Sequence, residues 1–483
     1  MGNKGVKQHK GAKAISSKFN EKEQKQITSI FDKLCGRRSS THTAADNEEK
    51  EFDEEKLKTY ASKYLTETLI EKLYLLMKHI PCPSKDKASS WCSEGLDIDV
   101  LFSTLSVLLK GSVEEKAHII CFMATSDNEE TLVLKDLRMF TNELIVSYEK
   151  IMQRKKIWQS WCIKSCSESA IQRFSSLVLH DMANYDGKRR GESESMPFSV
   201  TQLEKWLQQS SLYQHLLDKV FYSCFPVSYR EDDHLPVASL LPSCQDVDWN
   251  KTSTMLDLPA MVMLNHAVQA ELRKEWRYLF STRQHGESFS TLLKHVLNQG
   301  PTLLVVRDKE GHIFGGYSTI SLSPRPQFVG SQHCFLFSLA PSMAVYHATG
   351  LNDNYVYLNT GQETLPNGLG MGGQLEYFGL WIDHEFGKGH SKGKPTCTTY
   401  GSPQLSGSEQ FELDELEAWG IGPEPDEDGE YDEDLDREKI TSILDKDMES
   451  KAMLELLDRG PVSEGLRESD NMADTPGVTA LRE

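Results

Sequence analysis

The stretch Asn367-Gly-Leu-Gly-Met-Gly-Gly373 puts four glycines into seven residues. It sits among Phe314-Gly-Gly-Tyr317, Phe335-Leu-Phe-Ser-Leu339 and Thr349-Gly-Leu-Asn-Asp-Asn-Tyr-Val-Tyr357. Taken alone, Gly368-x-Gly370-x-x-Gly373 meets the dinucleotide fingerprint, which cradles a phosphate only when a strand precedes it and a helix N-terminus follows. Residues 374–382 read Gln-Leu-Glu-Tyr-Phe-Gly-Leu-Trp-Ile, an apolar and aromatic run without the 3.6-residue stripe of a crossover helix. A strand is therefore expected after the glycines. Gly368, Gly370, Gly372 and Gly373, with Gly315 and Gly316, are predicted to be structural turn positions that supply positive φ values and close backbone approach. No nucleotide and no other cofactor is expected.

At 483 residues the chain is long enough for two or three cores. No apolar run approaches the roughly 20 residues that span a bilayer, and no signal-peptide pattern opens the sequence, which points to a cytosol-facing protein. Ten cysteines are scattered without CxxC pairing and are expected to be reduced thiols. Cys162-x-x-x-Cys166 lacks a second half, and His384-Glu385 is followed by His390 rather than by a histidine one helical turn on, so a metal site is not expected. The formal charge of −19 is uneven: residues 411–440 carry 14 acids against two bases, whereas residues 1–20 carry five lysines and no acid. An acidic bulk disfavours nucleic acid. The basic tip suggests a membrane surface instead, and Gly2 occupies the position from which an acyl chain hangs, although Val6 stands where a small hydroxyl residue is preferred. A lipidated tail and a plain solvated tail both remain open for residues 1–20.

Residues 21–235 read as a helical module. Leu65, Leu69, Leu73 and Leu76 make one stripe ahead of Pro81-Cys-Pro83, and Ser112-Val-Glu-Glu115 is a capping box opening the next helix. Asn184-Tyr-Asp-Gly187 has the oxygen-bearing side chains and turn glycine of the middle of an EF-hand loop, but Met182 and Ser193 stand where the first and last calcium ligands belong, so the loop is degenerate. Leu256 to Phe280 is expected to be helix-rich, and from Pro301 onward short strands alternate with turns: 303–306, 313–320, 334–339 and 355–358. After an acidic linker, 423–438, the four-residue spacing of Ile440, Leu444, Met448, Ala452 and Leu456 predicts an amphipathic helix over 439–459, ending at Gly460-Pro461 before a polar tail, 460–483. Its apolar stripe either packs on its own domain or docks in a partner's groove.

From about 240 to 422 the chain resembles the TLDc domain. The resemblance is carried by Trp276-Arg-Tyr-Leu-Phe280, His285-Gly-Glu-Ser-Phe289, Gly300-Pro-Thr-Leu-Leu-Val-Val306, the three glycine- and phenylalanine-rich elements above, Cys397-Thr-Thr-Tyr400 and Leu416-Glu-Ala-Trp419. It implies an α+β protein: an N-terminal helical, degenerate EF-hand-like module, then a TLDc β-sandwich with flanking helices and a C-terminal helix. It also implies a family linked to oxidative-stress protection and to binding the peripheral sector of the vacuolar proton-pumping ATPase. For members built on this plan, it implies a part in mTOR signalling at the cytoplasmic face of the lysosomal membrane.

The residues themselves point to no catalysis. There is no GxSxG elbow, P-loop or kinase set, and Asp308, Asp353 and Asp383 are expected at turns or caps. Cys397 is expected to be a buried structural thiol. Two classes of function follow: a non-enzymatic adaptor at the lysosomal surface, or a stress-protection factor with a weak redox or hydrolytic activity.

Overall fold

Apolar side chains recurring every three or four residues, with polar residues capping the starts, make the N-terminal half helical. The computed structural model describes residues 18–36, 51–80, 95–125, 132–161, 163, 165–183, 197–227, 240–244 and 247–425. Its main helices here are α1 (Glu21–Leu34), α2 (Glu54–Ala61), α3 (Glu67–His79), α4 (Ile98–Lys110), α5 (Val113–Ala124), α6 (Leu134–Met152), α7 (Glu168–Val178), α8 (Val200–Gln209) and α9 (Ser211–Cys224). Leu65, Leu69, Leu73 and Leu76 are all buried, and the Thr66 hydroxyl caps α3 by accepting from Leu69 N. The box at Ser112 is closed reciprocally: Glu115 N donates to Ser112 Oγ at 3.2 Å, and Ser112 N donates to a Glu115 carboxylate oxygen at 2.8 Å. A two-residue ladder of β1 (Leu132–Val133) and β2 (Pro197–Phe198) ties distant helical segments together. Asn184–Gly187 lies outside the described residues, as do Gly2 and the stretch 439–459.

The C-terminal half is a sheet built from β3 (Ser243–Cys244), β4 (Glu275–Ser281), β5 (Thr302–Asp308), β6 (Ile313–Ser318), β7 (Arg325–Val329), β8 (Phe335–Ala340), β9 (Ala344–His347), β10 (Val356–Asn359), β11 (Gly368–Gln374), β12 (Tyr377–Asp383), β13 (Lys388–His390) and β14 (Gln410–Ile421). The strand path is β7-β10-β11-β12-β13-β14-β5-β6-β8-β9, antiparallel throughout, with β4 beside β14 and the short parallel β3 beside β4. Strand β14 is the spine. One of its edges pairs along β5, and the other is shared by β13 near its start and β4 near its end.

Period-two alternation explains why this sheet is buried on both faces. In β5, Leu304 and Val306 point into the sandwich interior, where Phe314, Leu336, Leu369, Met371, Leu380 and Ile382 meet them. Their neighbours Leu303 and Val305, with Phe335, Phe337, Trp419 and Ile421, join the core of the helical half. Between the layers lies α10 (Leu258–Ala267), apolar on every side and buried from Leu258 to Asn265 as such a helix must be. Asp257 caps it, accepting from Ala260 N at 2.9 Å.

The segment 256–280, expected to be helix-rich, is helical in α10 and in a single 3-10 turn at Ala270–Leu272, and Trp276–Phe280 belongs to β4. Aromatic side chains suit a pleated surface with a buried face on either side. A bulge places Leu279 as an extra residue opposite Ala418 and Trp419, so Trp276 and Phe280, which share parity, serve different cores.

Four tryptophans join the halves. Trp161, from the helical half, stands 5.1 Å from Trp419, 6.1 Å from Trp276 and 6.0 Å from Trp249, centroid to centroid. Their indole N–H groups are all satisfied: Trp161 by Pro242 O, Trp249 by Ser160 O, Trp276 by Asn265 Oδ1 and Trp419 by Glu417 Oε2. The described residues up to Glu424 accordingly form one compact unit.

Beside this junction, Glu417 is wholly buried, its carboxylate accepting from Met255 N, Thr254 Oγ1 and Trp419 Nε1. Burial outweighs these donors and, with Glu415 nearby, lifts its pKa to about 7. The folded chain therefore holds this proton more tightly than the unfolded chain. Its contribution to stability is greatest below the ordinary glutamate range and is lost as pH rises through about 7. Chemical denaturation from pH 5 to pH 8 should show that slope in the wild type and a flatter one in Glu417→Gln.

Candidate functional site

The glycines expected at turns lie inside strands. Gly315 and Gly316 are in β6, and Gly368, Gly370, Gly372 and Gly373 are in β11. Gly315 and Gly316 have ordinary φ angles; what requires them is space, since a Cβ on Gly316 would meet the Met371 thioether from the facing sheet and one on Gly315 would meet the Phe337 ring. Gly370 works in the same way. It faces an aromatic plate of Tyr357, Phe378 and Trp381, in which Phe378 and Trp381 stack at 4.6 Å, and a Cβ would run into both of those rings. Gly372 does need the left-handed region, at φ 71°, and a Cβ there would lie 2.7 Å from Cys397 Sγ. The next element is the strand β12, so β11 aims no helix N-terminus at a phosphate.

Three of the sequence elements meet at one end of the sandwich and brace each other through short polar side chains. Thr399 Oγ1 accepts from Gly373 N at 2.8 Å and donates to Asn352 Oδ1 at 2.7 Å. Asn354 Nδ2 donates to Gly373 O at 2.7 Å, and Thr349 Oγ1 donates to Thr398 O at 2.7 Å. Tyr400 carries its hydroxyl to Tyr355 O at 2.9 Å, and Gly372 N donates to the same carbonyl at 3.1 Å. The β11–β12 hairpin turns through Leu375 and Glu376, the latter at φ 68°; Lys392 Nζ donates to Glu376 O at 2.8 Å and sits 4.9 Å from the Tyr377 ring.

From this braced end the loop presents Leu351, 75% exposed, and the hairpin presents Leu375 and Tyr377, the tyrosine 56% exposed. Among the described residues the other large apolar side chains left exposed are Leu75 and Met139, both on helices. Scattered apolar residues are ordinary on a surface. Three on a loop and a hairpin that a polar network holds in place are suited to insertion into a partner, because the ordering cost of those segments is met before contact.

The acids considered at the sequence level each serve a turn. Asp308 accepts from His312 N and from Ser406 Oγ, Asp353 from the Tyr355 hydroxyl and Asp383 from Glu385 N. His390 stacks on Trp381, where burial pushes its pKa down to about 4, whereas His384 lies over Asn367 O. Among the described residues no group of three or more His, Cys, Asp or Glu is placed to hold a metal. Cys397 is buried beneath Gly372 and Gly379. The exposed trio was missed at the sequence level; the signal available was Leu351 and Leu375 standing among the turn residues Asn352, Asp353 and Glu376.

Residues 249–422 match the TLDc domain, so the braced sandwich is a TLDc fold. The chain belongs to the TLDc-domain family: it is 39% identical over 460 residues to MTOR-associated protein MEAK7 of Gallus gallus, covering 94% of this chain and 95% of that one. The MTOR-associated protein MEAK7 of Homo sapiens is 35% identical over 460 residues, covering 94% and 97%. Nuclear receptor coactivator 7 of Mus musculus is 33% identical over 145 residues, 30% of this chain and 14% of that one.

Replacing Gly370 by Val should cost on the order of 1–3 kcal/mol through overpacking against Phe378 and Trp381. A lowered melting temperature, partly restored by trimming Phe378 to Leu in the same chain, is the expected result of thermal denaturation.

Proposed function

We propose that this protein is a non-enzymatic adaptor that supports mTOR signalling, binding the peripheral sector of the vacuolar proton-pumping ATPase at the cytoplasmic face of the lysosomal membrane. The observation that carries the reading is the end of the sandwich where Leu351, Leu375 and Tyr377 emerge from loops locked by Thr399, Asn352 and Asn354. A surface of this kind is an interaction surface, and the acid in its loop, Asp353, is spent on accepting from the Tyr355 hydroxyl. The name carried by the full-length relatives, MTOR-associated protein, favours an mTOR-related partner. Gly2 with the five early lysines supplies membrane attachment, and the stripe Ile440, Leu444, Met448, Ala452 and Leu456 supplies a second contact with the pump.

Retention of the purified chain on the pump's peripheral sector tests this reading. The double variant Leu351→Asp, Tyr377→Ala changes only exposed side chains, so its folding free energy should stay within about 1 kcal/mol of wild type while retention falls by about tenfold or more. Unchanged retention in a folded double variant would remove the braced end from the interface. Peroxide turnover by the wild-type chain would favour an enzyme instead.

A further inference from the structure

We propose that a cleft in the helical half is a binding site for a polyphosphorylated small molecule, either free or as the headgroup of a lipid. The cleft, of about 710 Å3, opens between α1, the end of α6 and α9, and Arg154, Lys155 and Lys219 all line it. That volume lies within the range of small-molecule sites.

The three cations reach the cleft from two separate elements and have no acidic partner among the described residues. Arg154 and Lys155 follow the last turn of α6, where cations suit the negative end of a helix. That placement does not account for Lys219, which comes from the middle of α9 and is only partly exposed. The one acid that lines the cleft among the described residues is already paired: Asp218 accepts from Lys116 Nζ at 2.6 Å. Lys219 is therefore a half-buried ammonium in a cleft that two more cationic residues line. Burial, with Lys155 adding repulsion, pushes its pKa down to about 8. An unpaired charge in such a place is costly unless something supplies the counter-charge.

Tyr64 and Ser223 also line the cleft, and their hydroxyls have no hydrogen-bond partner among the described residues. A planar guanidinium fork, two ammonium groups and two free hydroxyls suit the several oxygens and multiple charges of clustered phosphates better than a single carboxylate. Nucleic acid is a poor fit to a chain of formal charge −19 whose cations converge in a cleft rather than along a face.

Calorimetric titration of the full chain with inositol hexakisphosphate at physiological salt tests the proposal, and vesicles of phosphatidylcholine carrying phosphatidylinositol bisphosphate, or phosphatidylserine at matched charge, separate the two sources. The expected result is one saturable site weakened about tenfold or more by Lys219→Met and by Arg154→Ala with Lys155→Ala, since each removes charge-assisted contacts. Lys219→Met also relieves the unpaired buried charge, so its melting temperature should equal or exceed that of wild type. Lys294→Met, which removes an exposed lysine elsewhere, should leave affinity unchanged. Lysine-dependent binding to the bisphosphate vesicles but not to the phosphatidylserine ones assigns a lipid headgroup; binding of the soluble probe alone assigns a free ligand. The proposal is overturned by absence of saturable binding to either probe, by equal weakening in Lys294→Met, or by equally tight binding of polyglutamate, which would make the cleft a site for acidic polypeptide.

Discussion

The contact between Trp161 and the sheet tryptophans is what the rest of the molecule depends on. Trp161 lies 5.1 Å, centroid to centroid, from Trp419 on the spine strand β14, while Trp249 and Trp276 close the cluster from the connecting segment and from β4. Large aromatic side chains each bury about 150–250 Å2, and favourable ring pairs add roughly 0.5–1.5 kcal/mol apiece beyond that area. Each indole N–H finds an acceptor, so no polar group is left stranded in an apolar junction. The sheet can thus be apolar on both faces: one is closed by its own fold-over, the other by the helices.

That arrangement sets what the ends of the sandwich can do. The strand alternation of β5, β8 and β14 is spent on two cores, leaving the connecting loops as the places where apolar side chains reach solvent. At one end the connections are crossed by threonine and asparagine side chains and carry Leu351, Leu375 and Tyr377. Binding function placed on loops held by a rigid scaffold is a common solution. The glycines of β11 serve the same end, with Gly372 letting the strand pass over Cys397 and Tyr400 into the hairpin.

Much of this was legible from local pattern. The leucine stripe of α3, the capping box of α5 and the strands from Leu303 onward declare themselves by period and by turn residues, and the strand after the glycine run could be read from its missing helical stripe. Trp276–Phe280 misled because it continues a helix-like approach and because its bulge at Leu279 breaks strict alternation. The role of Gly316 and Gly370 was hidden for a different reason. Their constraint is a side chain on another strand, Met371 or Phe378, and no local rule encodes such an encounter. The same holds for Thr399 with Asn352 and for Lys219 with Arg154, which are distant in sequence and meet only in the fold. The family resemblance located the motifs of the braced end without saying that their polar residues bond to one another.

The claim on which the account rests is that the helical half and the TLDc sandwich are one cooperative body locked at Trp161. Scanning calorimetry of the purified chain tests it most directly, because a single two-state body gives one transition whose calorimetric and van't Hoff enthalpies agree. The account predicts one such transition for wild type, and a lower, broadened or split one for Trp161→Ala. Two resolved transitions in the wild-type chain, with Trp161→Ala moving only one of them, would contradict it.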